Sequence, residues 1–356
     1  MTPEQFFRPD ILAASAYHVP AFEGPIKLDA MENPYPWPAE MVDAWLDHLR
    51  RARPNRYPDP QAPALKAALR RFAAIPDRAE LLLGNGSDEI ILILLTALVG
   101  QPDAKVMAPE PTFVMYREIA RWLDIPFVGV PLRADFGLDP DAMLAAVEHH
   151  RPRIVFIAYP NNPTGNLFDA DLIEAVIART PGLVVVDEAY APFAQASFME
   201  RLDDHGNLLI LRTLSKLGLA GLRLGYLVGA PAWLTQFDKL RLPYNINILT
   251  QLSTEFALRH EAVFRWQTDE IRRQRETLFQ ELGRIPGVEV FPSAANFLLF
   301  RVADAGTVFQ RLKEQGILIK NLDPAGGLLR NCLRVTVGTP SENQRFLSAL
   351  RTILGS

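Results

Sequence analysis

The chain has 356 residues, a formal net charge of −4 and a single cysteine, with 49% hydrophobic and 22% charged residues. This length allows one large domain or two ordinary ones, and the composition is that of a globular protein with a core of normal size. The small net charge argues against a nucleic-acid surface, which usually carries a basic excess. The lone Cys332 excludes an intrachain disulfide and fits a reducing compartment.

The N-terminal ten residues lack the basic start and apolar run of a secretory signal. The longest strongly apolar stretch, residues 90–99, is too short to span a bilayer and indicates a buried helix. We therefore predict a cytoplasmic protein that does not interact with membranes, and we predict no metal site.

The first part of the chain is rich in proline. Eight prolines between residues 10 and 60 exclude one continuous helix there and indicate an irregular arm. One helix is predicted within this arm, over residues 39–50.

Helical stretches and short apolar runs alternate from about residue 60 to residue 250. Helices are predicted at residues 64–73, 88–99, 116–122, 140–149 and 169–179. Strands are predicted at residues 81–83, 105–108, 127–130, 154–158, 183–186, 208–212 and 224–228. Because these runs are apolar throughout, they indicate strands buried on both faces, as in a mostly parallel sheet covered by helices. The predicted fold class is α/β.

The C-terminal part has a different pattern. A long charged helix is predicted over residues 247–282, and shorter strands and helices follow it, which indicates a smaller α+β domain. We predict three parts: an N-terminal arm with part of the small domain (1–45), a large domain (46–250) and a small C-terminal domain (251–356).

Four of the predicted strands end in chemically unusual segments. These segments are residues 84–89, 159–165, 187–190 and 213–216. In an open parallel sheet, ligands bind beyond the carboxyl ends of the strands. Parallel strands would therefore bring the four segments together along one edge.

Three features of these segments suggest chemistry. The glycine-rich turn before a helix suits a phosphate, although Asp88 there could simply cap the helix. Asp187 follows three valines, so its carboxylate is desolvated unless a cation or donor meets it, with capping of the next turn as the alternative. Lys216, alone, would be an ordinary solvated lysine, but it is predicted beside this acid and this turn.

The sequence resembles fold-type I aminotransferases, which use pyridoxal 5′-phosphate (PLP). Segments 162–165 (NPTG), 187–190 (DEAY), 215–216 (SK) and 221–225 (GLRLG) occur in the order and approximate spacing of that family. More narrowly, segments 55–59, 84–89, 111–116 and 333–338 resemble histidinol-phosphate aminotransferases. The resemblance covers nearly the whole chain, and threonine-phosphate decarboxylases share much of the narrower pattern.

The resemblance implies how PLP would be held and used. Lys216 is expected to bind PLP covalently and to move a proton during turnover, as burial beside cations would favour. Asp187 is expected to pair with the pyridine nitrogen. Asn162 and Tyr190 would hydrogen-bond the phenolate oxygen of the ring. Phe113 would stack on the ring, with a plain core phenylalanine as the alternative. Lys216, Asp187 and Tyr190 form the predicted catalytic set.

The resemblance also implies a phosphate site and a shared active site. Backbone amides, hydroxyls and one guanidinium are expected to hold the cofactor phosphate. The residues that supply them are Gly86, Ser87, Asp88, Thr213, Ser215 and Arg223. Tyr57 matches a tyrosine that reaches this phosphate from the partner subunit, which implies a homodimer.

Three residues are expected to bind the substrate. Arg334 lies in an alternating strand, where an exposed arginine is the alternative, and the resemblance implies that it grips the substrate α-carboxylate. Tyr17 matches a tyrosine near the far end of the substrate. Lys320 departs from the arginine that is usual in the narrower family, so it keeps the charge of a phosphate-binding residue but not its fork.

The resemblance therefore implies a ping-pong aminotransferase of histidine biosynthesis, which acts on small-molecule amino donors and 2-oxo acids. The expected reaction interconverts histidinol phosphate plus 2-oxoglutarate and imidazole-acetol phosphate plus glutamate. A broad aromatic aminotransferase and a threonine-phosphate decarboxylase are the alternatives. A transcription regulator with an aminotransferase-like domain is a third, but the segment that precedes the glycine-rich turn contains no helix-turn-helix pattern.

Overall fold

The computed structural model describes residues 1–14 and 24–355. The helices of the described residues are α1 (Pro3–Phe6), α2 (Pro9–Leu12), α3 (Ala39–Leu49), α4 (Pro63–Phe72), α5 (Ser87–Thr96), α6 (Met115–Trp122), α7 (Pro140–His150), α8 (Ala170–Arg179), α9 (Ala191–Ala194), α10 (Pro231–Asp238), α11 (Ile248–Arg259), α12 (Glu261–Gly283), α13 (Ala305–Glu314) and α14 (Pro340–Leu354). The strands are β1 (Ile26–Lys27), β2 (Glu80–Gly84), β3 (Val106–Glu110), β4 (Phe127–Pro131), β5 (Ile154–Ala158), β6 (Leu183–Asp187), β7 (Leu208–Thr213), β8 (Gly225–Gly229), β9 (Val288–Val290), β10 (Phe297–Val302), β11 (Ile317–Leu318), β12 (Lys320–Asn321) and β13 (Cys332–Thr336).

A seven-stranded sheet forms the centre of the large part of the molecule. Its strand order is β2-β8-β7-β6-β5-β3-β4. Strand β8 runs antiparallel to both of its neighbours, whereas β4, β3, β5, β6 and β7 pair in parallel. The predicted α/β class with a mostly parallel sheet is therefore confirmed.

Alternate residues of each central strand enter two different cores. In β6, Val184 and Val186 pack into the core on one face of the sheet, and Val185 packs into the core on the other. Every residue of this strand is buried, which explains why its sequence is a continuous apolar run rather than an alternating one. The alternation continues at the end of β6, so Asp187 and Glu188 point to opposite faces.

A second, antiparallel sheet forms the smaller C-terminal part, with strand order β12-β13-β10-β9. The N-terminal segment joins this part, because β1 pairs in parallel with β11 through Ile26 and Ile317. Helix α12 contributes to both parts of the molecule: Phe264 packs into a large-domain core, and Ile271 packs into the small-domain core. The division at residues 45 and 250 stays a prediction.

The helical stretch predicted over residues 247–282 is confirmed except for one break. The chain forms two helices, α11 and α12, which are separated at His260, whose backbone is not helical (φ −104°, ψ 36°). The Nδ1 atom of His260 lies 2.9 Å from the carbonyl oxygen of Phe256, a group that the helical ladder would otherwise use. Helix α10, which begins at Pro231, was not predicted. None of the helices in the described part of the chain is long and apolar enough to cross a membrane.

Candidate active site

The carboxyl ends of β5, β6 and β7 meet the turn after β2 at a cavity of about 480 Å³. The predicted site residues that line it are Ser87, Asp88, Phe113, Asn162, Asp187, Tyr190, Thr213, Ser215, Lys216, Arg223, Lys320 and Arg334. Gly86 and Tyr57 are not among the residues that line it, although Gly86 lies next to Arg223, which does. Tyr17 lies outside the described residues.

Asp187 ends β6 at the floor of the cavity and is 4% exposed. Its Oδ2 accepts a 2.6 Å hydrogen bond from the hydroxyl of Tyr116, and its Oδ1 accepts a 3.0 Å bond from the backbone N–H of Ala189. Burial raises the pKa of Asp187 to about 6, against the lowering effect of these two donors, and the charges of Asp88 and Glu188 raise it further. The site therefore holds a carboxylate that would gain by meeting a positive partner.

Lys216 lies opposite, in a turn of π-helix at Ser215–Leu219 that follows β7. Its Nζ donates a 3.1 Å hydrogen bond to the carbonyl of Ala30. Burial, and next the positive charge of Arg334, lower the pKa of Lys216 to about 8, while Glu32 opposes this shift. A larger fraction of this amine is therefore uncharged near neutral pH than of an exposed lysine.

Three further residues surround the cavity between Lys216 and the small domain. Tyr190 is buried with its ring edge-on to Phe297 at 5.2 Å, and burial raises the pKa of its hydroxyl well above the usual value. Arg334 donates from Nη1 to Oδ1 of Asn162 and from Nη2 to the carbonyl of Asp29 at 3.0 Å. The alternative of an exposed strand arginine is wrong, because Arg334 is only 7% exposed.

The turn after β2 has the features of a phosphate cradle. Gly86 is the N-cap of α5, so the alternative that Asp88 caps this helix is wrong. Gly86 has φ 87° and ψ 165°, a backbone conformation that favours glycine, and an added Cβ would also lie 2.5 Å from Nη2 of Arg223. Nη1 of Arg223 lies 3.4 Å from the Ser215 hydroxyl, which also accepts a 3.0 Å bond from Thr213. A helix N-terminus, two hydroxyls and a guanidinium thus converge, as an anion requires.

A pair of cations, Lys320 and Arg334, lies on the small-domain side of the cavity. Lys320 on β12 is directly opposite Arg334 on β13 in the antiparallel pair, so both side chains project from the same face. Two cations at one wall would attract a substrate with acidic groups.

Tyr57 takes no part in the cavity of its own chain. Its side chain is 81% exposed, and its ring stacks on Tyr244 with a centroid distance of 4.4 Å. The neighbouring Asn245 donates to Leu83 and Glu89, which places this aromatic pair beside the glycine-rich turn.

Residues that the sequence did not single out support the site from behind. Asn161 is fully buried and binds Pro111 and Thr164, which ties the loop after β5 to the loop after β3. On the face of the sheet away from Asp187, Glu188 accepts two hydrogen bonds from Arg212, at 2.9 and 2.7 Å. The sequence did contain a signal for Glu188 and Arg212, because each is the immediate neighbour of a predicted site residue at the ends of two adjacent strands.

The chemistry of these groups fits PLP. The cofactor carries a phosphate, a ring nitrogen that can be protonated and an aldehyde, and the cavity offers an anion cradle, a buried acid and a lysine of lowered pKa. Together with the mostly parallel sheet, this arrangement defines a PLP-dependent enzyme of fold type I.

Comparisons with known proteins agree with this class. Residues 23–350 match the family model described as "Aminotransferase class I and II". "Histidinol-phosphate aminotransferase 2" of Nitrosococcus oceani is 55% identical over 349 residues, which cover 98% of this chain and 97% of that protein. The protein of the same name from Cupriavidus pinatubonensis is 54% identical, with 99% and 97% covered. The chain therefore belongs to the class I and II aminotransferase family and is a PLP-dependent aminotransferase.

A solved structure supports the fold assignment. The histidinol-phosphate aminotransferase from Sinorhizobium meliloti, in complex with pyridoxal-5′-phosphate, superposes with a TM-score of 0.86. It covers 98% of this chain and 97% of that chain at 24% identity, so it bears on the fold alone.

The buried pair of Glu188 and Arg212 generates a prediction on stability. Their side chains are 0% and 14% exposed, so Arg212→Met leaves a buried carboxylate without its cation and should destabilise the protein by about 3–5 kcal/mol. Arg265→Met is the matched control, because Arg265 and Glu261 form an exposed pair whose loss should cost less than about 1 kcal/mol. The midpoints of urea unfolding measure both effects. A double variant, Glu188→Gln with Arg212→Met, should recover most of the loss, and equal midpoints for the two single variants would contradict the prediction.

Proposed function

We propose that this aminotransferase transfers an amino group between glutamate and imidazole-acetol phosphate, which gives 2-oxoglutarate and histidinol phosphate. The observation that carries this substrate assignment is the pair of cations, Lys320 and Arg334, side by side on one wall of the cavity. The names of relatives 55% and 54% identical over nearly the full chain support it. The reaction would belong to histidine biosynthesis and take place in the cytoplasm, a reducing compartment that fits a protein with a single cysteine.

Lys216 is proposed to bind the cofactor covalently and to carry the proton. When bound, PLP supplies an aldehyde for the amino group and a ring that accepts electrons from the substrate α-carbon. Lys216 can accept that carbon's proton only while its amine is uncharged, and its pKa of about 8 keeps part of it in this form. The carbonyl of Ala30 orients Nζ in the described structure.

Four residues are proposed to hold the ring. Asp187 would keep the pyridine nitrogen protonated, and both partners would gain because each is otherwise desolvated. Asn162 and Tyr190 would donate to the phenolate oxygen. Phe113, whose ring borders the cavity, would stack on the ring face.

The cofactor phosphate is proposed to lie at the N-terminus of α5. Backbone N–H groups around Gly86, Ser87 and Asp88 would bind it, together with the two hydroxyls and the guanidinium. These last groups belong to Thr213, Ser215 and Arg223. The carboxylate of Asp88 lies 3.9 Å from Arg223 and would neutralise it in part, so the backbone of Asp88, rather than its side chain, is the proposed ligand.

Arg334 is proposed to bind the α-carboxylate of glutamate, and Lys320 to bind the phosphate of histidinol phosphate, with Tyr17 at the far end of the substrate. Histidinol phosphate has no carboxylate, so the two half-reactions need different acidic contacts in the same cavity. Arg334 is already tied to Asn162 and to the segment at Asp29, so an incoming carboxylate would find its guanidinium fixed in direction.

The enzyme is proposed to be a homodimer with shared active sites. Support comes from apolar side chains that the described chain leaves exposed near the glycine-rich turn: Tyr57 (81%), Leu242 (72%) and Tyr244 (40%). In such a dimer, Tyr57 would reach the cofactor phosphate of the partner.

The first test concerns Lys216. Lys216→Ala should fold but lose covalently held PLP and at least about 10²–10⁴ of the rate, because a positioned proton carrier is gone. Borohydride reduction followed by peptide mapping detects the attachment, and the cofactor's visible absorbance follows turnover. The exposed Lys239 is the matched control, and Lys239→Ala should behave as wild type. Near-normal turnover in Lys216→Ala would remove Lys216 from the centre of the mechanism.

The second test separates the two half-reactions by stopped-flow absorbance. Removing one partner of a desolvated charge pair typically costs about 2–5 kcal/mol, so Arg334→Ala should slow the glutamate half-reaction at least about 30-fold. Lys320→Ala should slow the histidinol phosphate half-reaction more than the glutamate one. Arg330→Ala, at an exposed arginine just before β13, is the control and should change neither.

Two results would count against the substrate assignment: equal slowing of both amines in Lys320→Ala, or a wild-type preference for phenylalanine over histidinol phosphate. The second result would favour a broad aromatic aminotransferase. Release of carbon dioxide from threonine phosphate would instead favour the decarboxylase.

The third test is complementation between inactive subunits. Tyr57→Ala and Lys216→Ala should each be impaired as homodimers. A mixed dimer restores one complete site if Tyr57 acts in the partner's cavity, so mixing after subunit exchange should recover activity, up to about a quarter of the wild-type value for random pairing. No recovery, with mixed dimers confirmed by mass spectrometry, would contradict the shared site.

A further inference from the structure

The hydroxyl of Tyr116 is the only side-chain donor to Asp187 that the described residues supply in this structure. Tyr116 lies on α6 and is fully buried, and its ring stacks on Phe156 at 4.5 Å with an interplanar angle of 7°. The ring of Phe113 meets it edge-on at 5.5 Å. Because packing fixes the tyrosine ring on two sides, the position of its hydroxyl is fixed as well.

The Asp187 carboxylate has room for another donor while this bond is kept. Its Oδ2 takes the Tyr116 hydroxyl, and its Oδ1 takes the N–H of Ala189. Two carboxylate oxygens offer about four acceptor positions. The two bonds fix the plane of the carboxylate and leave it able to accept a bond from the cavity.

We propose that Tyr116 is a positioning residue for the cofactor, which holds the Asp187 carboxylate ionised and correctly oriented for the protonated pyridine nitrogen. This inference rests on the role proposed above for Asp187. Tyr116 itself does not line the cavity, so it acts through Asp187.

The charges around Asp187 give this hydroxyl its importance. Asp88 on α5 and the adjacent Glu188 both raise the pKa of Asp187, as burial does, and the Tyr116 hydroxyl and the Ala189 N–H oppose them. Tyr190, at the start of α9, also faces Asp187, with its own hydroxyl pKa raised by burial. Loss of the Tyr116 hydroxyl should therefore move the pKa of Asp187 above about 6.

The pH dependence of cofactor binding depends on the charge of Asp187. A protonated pyridine needs an ionised partner, so below the pKa of Asp187 binding must first remove a proton from the carboxyl group. PLP affinity should therefore fall as pH decreases through about 6 in the wild type, and it should begin to fall at higher pH in Tyr116→Phe. Well above both pKa values the two proteins should bind PLP alike.

The experiment is a PLP titration of the apoenzyme, from about pH 5 to about pH 9, followed by protein fluorescence. Asp187→Asn is the reference, because its pH profile contains only the other titrating groups, chiefly Lys216, the cofactor phosphate and the pyridine nitrogen itself. Once this reference profile is subtracted, the acid-side midpoint of Tyr116→Phe should lie about one to two pH units above that of wild type. This shift corresponds to about a 10- to 100-fold loss of PLP affinity on the acid side. At the alkaline end its affinity should stay within about twofold of wild type.

Tyr159→Phe is the matched control. Tyr159 is also a buried tyrosine at the end of a strand of this sheet, but its ring packs on Phe198 on the other face. Its midpoint should equal that of wild type. Should Tyr116→Phe fold poorly, 3-fluorotyrosine at position 116 replaces it. The more acidic hydroxyl is a stronger donor and should move the midpoint to lower pH.

The possible outcomes separate the role of Tyr116 from the role of Asp187, on which it rests. A wild-type profile that coincides with that of Asp187→Asn would overturn the assignment of Asp187 itself. If the two differ but Tyr116→Phe matches wild type, only the role of Tyr116 fails. Equal weakening by Tyr116→Phe at every pH would mean that Tyr116 merely supports packing, and it would overturn the proposal too.

Discussion

The burial of one carboxylate shapes the centre of this enzyme. Asp187 ends the middle strand of a sheet covered on both faces, where water cannot solvate it, so its charge depends on the donors that the protein places around it. Those donors come from two places: the hydroxyl of Tyr116 on a covering helix and the backbone of the following turn. The result is an acid whose pKa is raised to about 6, which still ionises at neutral pH but gains from a positive partner.

The cations around the cavity also act on a buried ionisable group, Lys216. Lys216, Arg223, Arg334 and Lys320 lie around the cavity, and repulsion from Arg334 and Arg223 adds to burial in lowering the pKa of Lys216. A phosphate and a carboxylate brought by ligands would relieve that repulsion, so the charges that lower the pKa of Lys216 would also favour binding of acidic ligands. The lowered pKa of the amine and the attraction of acidic ligands would therefore have one physical origin.

The two parts of the molecule are joined at this cavity. Arg334 comes from the small sheet but binds Asn162 of the large domain, and the segment between β1 and α3 lies between them. That segment gives the carbonyl of Ala30 to Lys216 and the carbonyl of Asp29 to Arg334. Met31 has a positive φ of 53°, and its N–H and carbonyl bind Thr336 and Asn296 of the small domain. A movement of the small domain would thus change the surroundings of the lysine directly.

The pattern of the sequence by itself determined the α/β class and the strand ends that carry chemistry, whereas Phe113, Arg223 and Arg334 were named because the sequence resembles an aminotransferase family. It could do so because strands buried on both faces are apolar throughout, and because polar residues at their ends are therefore conspicuous. It did not predict the break at His260, where the imidazole ring lies within hydrogen-bond distance of the Phe256 carbonyl, because the helical pattern is otherwise continuous. Only the tertiary structure decided that Gly86 rather than Asp88 caps α5, that Tyr116 meets Asp187 across 71 positions, and that Lys320 lies beside Arg334. The last two are relations between residues distant in the chain, and neither local propensity nor periodicity contains them.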